Sequence, residues 1–166
     1  MKLNIVRRTL LIPSIATLYM VLASAGQAQD LGCSTAKAAG DWGFTLIGTL
    51  LTPTGTVPAA AIGRATFDTQ GNITSAVESR NVGGGFANET LTGSWTVNSD
   101  CTGTLTVNVY ESGVLTRTSV ASLVFVDDMK EIRMLQQSLT LPGGATLPVV
   151  ITIDGKRLFS QNTNPQ

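Results

Sequence analysis

The chain has 166 residues, eleven Lys and Arg against eleven Asp and Glu, and no histidine. This balance excludes the basic footprint of a nucleic-acid binder and any strong attraction to an anionic membrane surface. Without histidine there can be no Ser–His or Cys–His pair and no ordinary zinc set, so no metal or other cofactor is expected.

Residues 1–28 read as a secretory leader. Lys2, Arg7 and Arg8 precede an apolar run from Leu10 to Leu22, and small residues close it, with cleavage expected after Ala28 or after Ala25. The run is shorter than the ~20 residues a spanning helix needs, so no stable membrane insertion is expected once the leader is gone. The expected destination is the periplasm or the cell exterior. In such an oxidising compartment Cys33 and Cys101, an even pair, are expected to form a disulfide. That bridge would tie the start of the mature chain to its middle.

Residues 29–160 are expected to form one all-β domain. Trp42, Phe44, Leu46 and Leu50 share one face of a first strand starting at Gly40. Residues 53–58 read as a loop. Ala61, Gly63, Ala65 and Phe67 alternate with Ile62, Arg64, Thr66 and Asp68, and residues 68–72 form a turn. Ile73, Ser75 and Val77 begin a third strand that ends near Arg80, before Gly83-Gly84-Gly85. The clearest alternation spans Glu89 to Val109. Leu91, Gly93, Trp95 and Val97 oppose Thr90, Thr92, Ser94 and Thr96, and after a turn Leu105, Val107 and Val109 resume the dry face.

Val114 to Val126 puts Ala121, Leu123 and Phe125 on one face. Val120, Val124 and Val126 lie on the other, which suggests cover on both sides. Ile132, Met134 and Gln136, then Val149, Ile151 and Ile153, mark the last two strands. Residues 161–166 are expected to be a frayed polar tail. About eight strands with short turns form an antiparallel up-and-down meander, which closes into a barrel or splits into a sandwich. Closure is favoured because it removes two exposed edges.

At Gly40-Asp41-Trp42 the chain resembles the lipocalins and the wider calycin group. The resemblance implies an eight-stranded barrel with an arginine, here Arg157, lying against Trp42, and an interior that admits a small apolar ligand. Gly-Phe-Thr-Leu near the start and Asp-Cys-Thr-Gly-Thr-Leu in the middle are similar to a set of uncharacterised secreted bacterial proteins.

The carboxylates are scattered, and none nominates itself as a catalyst. Glu78, Arg80 and Glu89 flank the triple glycine and are expected to form a surface ion pair. Small side chains at Ala61, Gly63 and Ala65, on the Phe67 parity, leave room along the axis, so these residues with Phe44 and Trp95 are the candidate lining of an apolar cavity. The alternative is that Trp42, Phe44, Trp95 and Phe125 fill that volume. A membrane-spanning barrel also needs a leader and alternating strands, but the Thr-rich face and few aromatics fit one poorly. The sequence therefore points to a non-catalytic exported barrel that binds a small apolar molecule. The competing reading is a packed barrel acting as a structural or protein-interaction module, with the oligomeric state left open.

Overall fold

The computed structural model describes residues 32–158. The expected leader, its cleavage points at Ala25 and Ala28, and the tail 161–166 lie outside the described residues. The eight strands are β1 (Gly40–Thr52), β2 (Gly55–Phe67), β3 (Ile73–Val82), β4 (Gly85–Val97), β5 (Thr102–Glu111), β6 (Val114–Val126), β7 (Glu131–Thr140) and β8 (Val149–Arg157). Each pairs antiparallel with its neighbour in sequence, and β8 returns to β1, so the sheet is a closed up-and-down barrel. A single helical turn, α1 (Thr35–Ala38), precedes β1. Ser34 caps it by accepting a hydrogen bond from the Lys37 amide at 3.2 Å.

Alternation places the dry face inside. Trp42, Ala65, Leu91, Trp95, Leu105, Val109, Leu123, Phe125, Ile132 and Ile151 are buried. Three strand features differ from the sequence expectation. The expected loop at residues 53–58 is shorter, because β1 and β2 continue to a two-residue hairpin with Thr52 opposite Gly55. The face of β3 is inverted along most of its length. Ile73 pairs with Phe67 and Ser75 with Thr66, leaving Thr74 as an extra residue. That bulge turns Ala76 and Glu78 inward and leaves Val77 exposed, since one inserted residue reverses a period of two. The outer face of β6 is not covered, and Val124 and Val126 are exposed to solvent.

The two ends of the barrel differ. At the α1 end, Ala38 is fully buried against the inner face, and Thr35 accepts a hydrogen bond from the Val97 amide at 3.1 Å. Cys33 and Cys101 form a disulfide with their Cα atoms 5.0 Å apart, fixing the chain before α1 to the β4–β5 turn. Arg157 holds the other end of α1. Its guanidinium donates to the carbonyls of Ala39 at 2.7 Å and Lys37 at 2.8 Å. These are helix-terminal carbonyls with no intrahelical partner, at the negative end of the turn. The same guanidinium lies over Trp42, 4.8 Å from the ring centroid. The Trp42 indole N–H donates to the Ala38 carbonyl at 3.0 Å. Desolvation lowers the pKa of Arg157 from its ordinary value.

Candidate functional site

Above α1 lies an aromatic floor. Phe67 and Trp95 stack with centroids 3.6 Å apart and planes 5° from parallel. Trp42 and Phe125 meet Trp95 edge-on at 5.8 and 5.5 Å. These rings fill the α1 end of the barrel and stop there. Beyond them is an interior cavity of about 320 Å³. Its wall reaches Leu50 and Val82 beside the far hairpins, and Leu141 and Leu147 between β7 and β8.

Phe44, Ala61, Ala65, Phe67 and Trp95 all line this cavity, but Gly63 does not. Its empty place is taken by the Phe44 ring, because a Cβ on Gly63 would sit 2.8 Å from Phe44 Cζ. Glycine at this position lets an aromatic ring lie against the backbone and opens no space of its own. Ala59, Ala61 and Ala65 leave the room on the β2 wall. Among the described residues, the Trp95 indole N–H is a buried side-chain donor without a hydrogen-bond partner.

The β3, β6 and β7 walls also carry polar groups, among them Glu78, Arg117 and Gln136. Glu78 and Glu89 are directly opposite each other on β3 and β4, and both are buried. Like charges so placed repel, and burial compounds the cost. Arg117 on β6 reaches across the interior to both. It donates to Glu78 Oε1 at 2.7 Å and to the two oxygens of Glu89 at 2.7 and 2.8 Å. Arg80 donates to Glu89 Oε1 at 2.7 Å and to Glu111 at 3.1 Å. The expected surface ion pair is therefore an interior network of five charged groups, because the β3 bulge carries Glu78 and Arg80 inside. On β7, Gln136 is buried and donates to Ser119 Oγ at 3.2 Å and to the Ser138 carbonyl at 3.1 Å.

The two glutamates titrate apart. Burial, reinforced by hydrogen bonding to Glu89, pushes the Glu78 carboxyl up to about 7. Burial also opposes the ionisation of Glu89, but hydrogen bonds from Arg117, Glu78 and Arg80 outweigh it and hold Glu89 at about 2. The pair thus keeps one proton across the acidic range. Below the ordinary glutamate value the unfolded chain binds two protons and the fold one, so stability rises with pH. Between that value and about 7 the unfolded chain binds none and the fold one, so stability falls. The contribution of this pair to the midpoint of thermal unfolding is expected to peak near pH 4.5. Scanning the midpoint from pH 3 to 8 in the parent and in Glu78→Gln isolates it. The variant should lose the decline between pH 5 and 7, and an unchanged decline would mean that other groups cause it.

No protein-family profile matches the chain, and no curated protein matches its sequence. Among solved structures, it is similar to EF1p2_mFAP2b bound to DFHBI, with 13% identity and a TM-score of 0.52. That likeness covers 75% of this chain and 97% of the other. It is also similar to the S-type phycobiliprotein lyase CPES from Guillardia theta, with 10% identity and a TM-score of 0.39 over 76% of this chain and 92% of the other. At such identities the first likeness supports the barrel fold alone, in agreement with the closed eight-stranded topology. Among the described residues no group of three or more His, Cys, Asp or Glu side chains is placed to hold a metal ion, and no helix is long and apolar enough to cross a membrane.

Proposed function

We propose that this protein is an exported barrel that binds a small, largely apolar molecule in its interior, without catalysing its conversion. The observation that carries the reading is the cavity of about 320 Å³, bordered by the aromatic floor and by Leu46, Ala61, Met134 and Ile153. That volume is at the lower end of the range for small-molecule sites. The likeness to a DFHBI-bound barrel agrees with such a use of the architecture. The Gly40-Asp41-Trp42 start and the Arg157 contact agree with the lipocalin resemblance. Export is supported by the Cys33–Cys101 disulfide, a bond that persists in oxidising compartments.

Filling the void tests the reading. Ala61→Trp puts a large ring into space that alanine leaves open. Uptake of the neutral fluorophore N-phenyl-1-naphthylamine is expected to weaken by about tenfold or more in the variant, while the unfolding midpoint holds or rises, because filling a void adds contacts. Equal uptake by both proteins would place the probe elsewhere. Native mass spectrometry of protein purified from its own compartment would then identify what occupies the interior. A consistently empty barrel would favour the competing reading, an interaction module. That reading also has a structural basis, since Ile47, Ile62, Leu135 and Val150 are exposed on the outer face.

A further inference from the structure

The ion-pair network behind the cavity wall has an unequal charge count. Glu78, Arg80 and Arg117 line the cavity beside Thr116, Ser119 and Gln136. Two guanidiniums meet three carboxyls in the network. Glu89 has no exposed side-chain surface and receives three of the N–H···O bonds, so it is the counter-ion between the two arginines. Glu111, 43% exposed, supplies the second negative charge beside Arg80. Glu78 is the third carboxyl. It shares Arg117 with Glu89, and its side chain is only 4% exposed.

We propose that the interior ligand is an amphiphilic cation, an apolar body over the aromatic floor with a protonated amine seated against the Glu78 carboxylate. This rests on the interior-binding reading and names its ligand class. An entering anion would find both lining arginines already matched, Arg80 by Glu89 and Glu111 and Arg117 by Glu78 and Glu89. A neutral molecule would leave Glu78 holding its proton. A cation supplies the missing charge.

The step balances as a proton exchange. The alkylammonium keeps its proton, since such amines titrate near ~10.4 as lysine does. Glu78 releases its own proton to solvent and becomes the carboxylate that faces the ligand. Because burial sets this carboxyl at about 7, binding should release a proton below neutrality and none well above it. The groups facing Glu78 from its neighbours are Glu89 on β4 and Arg117 on β6, with Arg80 and Glu111 one contact further away. Its register partner on β2 is Gly63.

The test is titration calorimetry of the full mature chain with octylammonium, octanoate and 1-octanol at pH 6 and pH 8. Octylammonium is expected to bind about tenfold or more tightly than the other two at pH 8. Its affinity should fall about tenfold at pH 6, the ratio of ionised Glu78 at the two values. At pH 6, buffers of different ionisation enthalpy should report close to one proton released per ligand. Glu78→Gln is expected to bring octylammonium down to the affinity that the same variant shows for octanol. Equal or tighter binding of octanoate or octanol at pH 8 overturns the proposal and leaves the interior-binding reading standing, as does octylammonium binding at pH 6 without proton release in the parent protein. No binding by any of the three overturns both.

Discussion

Arg117→Met is expected to lower folding stability at pH 7 by about 3–5 kcal/mol, the usual cost of removing one partner from a buried charge network. The side chain is 18% exposed and bridges two glutamates whose own side chains are 4% and 0% exposed. Its removal leaves Glu78 facing Glu89 across a strand pair, with Arg80, among the described residues, the remaining cation in contact with either. Urea unfolding at fixed pH measures the loss. A matched control is Arg133→Met. Arg133 is half exposed and bridges Glu131 and Asp154 at the surface, so its replacement should leave the midpoint almost unmoved. The cost of Arg117→Met is mostly that of stranded carboxylates. Combining it with Glu78→Leu and Glu89→Leu should therefore restore most of the stability, within about 1 kcal/mol of the parent. A single variant as stable as the parent would show that water reaches the two glutamates freely, and the interior network would lose its energetic meaning.

This network also marks where sequence patterning stops being readable. Strands with unbroken alternation declared their inner faces. Trp42, Phe44 and Leu46 line the interior as their parity requires, as do Leu91 and Trp95. Glu89 and Arg117 were legible by the same rule. Glu89 shares the parity of Leu91 and Trp95, and Arg117 that of Ala121, Leu123 and Phe125, yet their charge suggests solvent. Glu78 and Arg80 were not legible. Thr74 adds one residue to β3 at the Thr66–Phe67 step, so Ile73 and Glu78 both face inward despite their opposite parity. Nothing in the local sequence announces that bulge, because its cause is pairing with β2. Gly63 failed for a related reason. Whether a glycine leaves a void depends on the side chain opposite, and the partner strand supplies Phe44. The extent of the cavity depends likewise on how far four rings from separate strands can reach, which no single stretch encodes.

Removing the disulfide is expected to be as costly by an unrelated route. The bridge joins residues 68 apart in sequence, and closing a loop of that length in the unfolded chain corresponds to about 4 kcal/mol in the chain-entropy model. For a domain of this size that loss lowers the midpoint by roughly 10–20 °C. The measurement is thermal unfolding of the Cys33→Ser, Cys101→Ser double variant beside the parent with and without reductant. The reduced parent and the double variant should unfold together, well below the oxidised parent. The barrel should still form, because its strand ladder is closed independently of the bridge by the pairing of β8 with β1. The α1 turn should also stay close to the floor, since Arg157, Trp42 and the Thr35–Val97 hydrogen bond hold it from the barrel side. A far-ultraviolet spectrum that keeps its β signature below the lowered midpoint would agree with this division of roles. Loss of that spectrum at 20 °C on reduction would instead make the bridge a condition of barrel closure, and a midpoint unmoved by reduction would mean that the unfolded chain is already compact enough for the tether to restrict nothing.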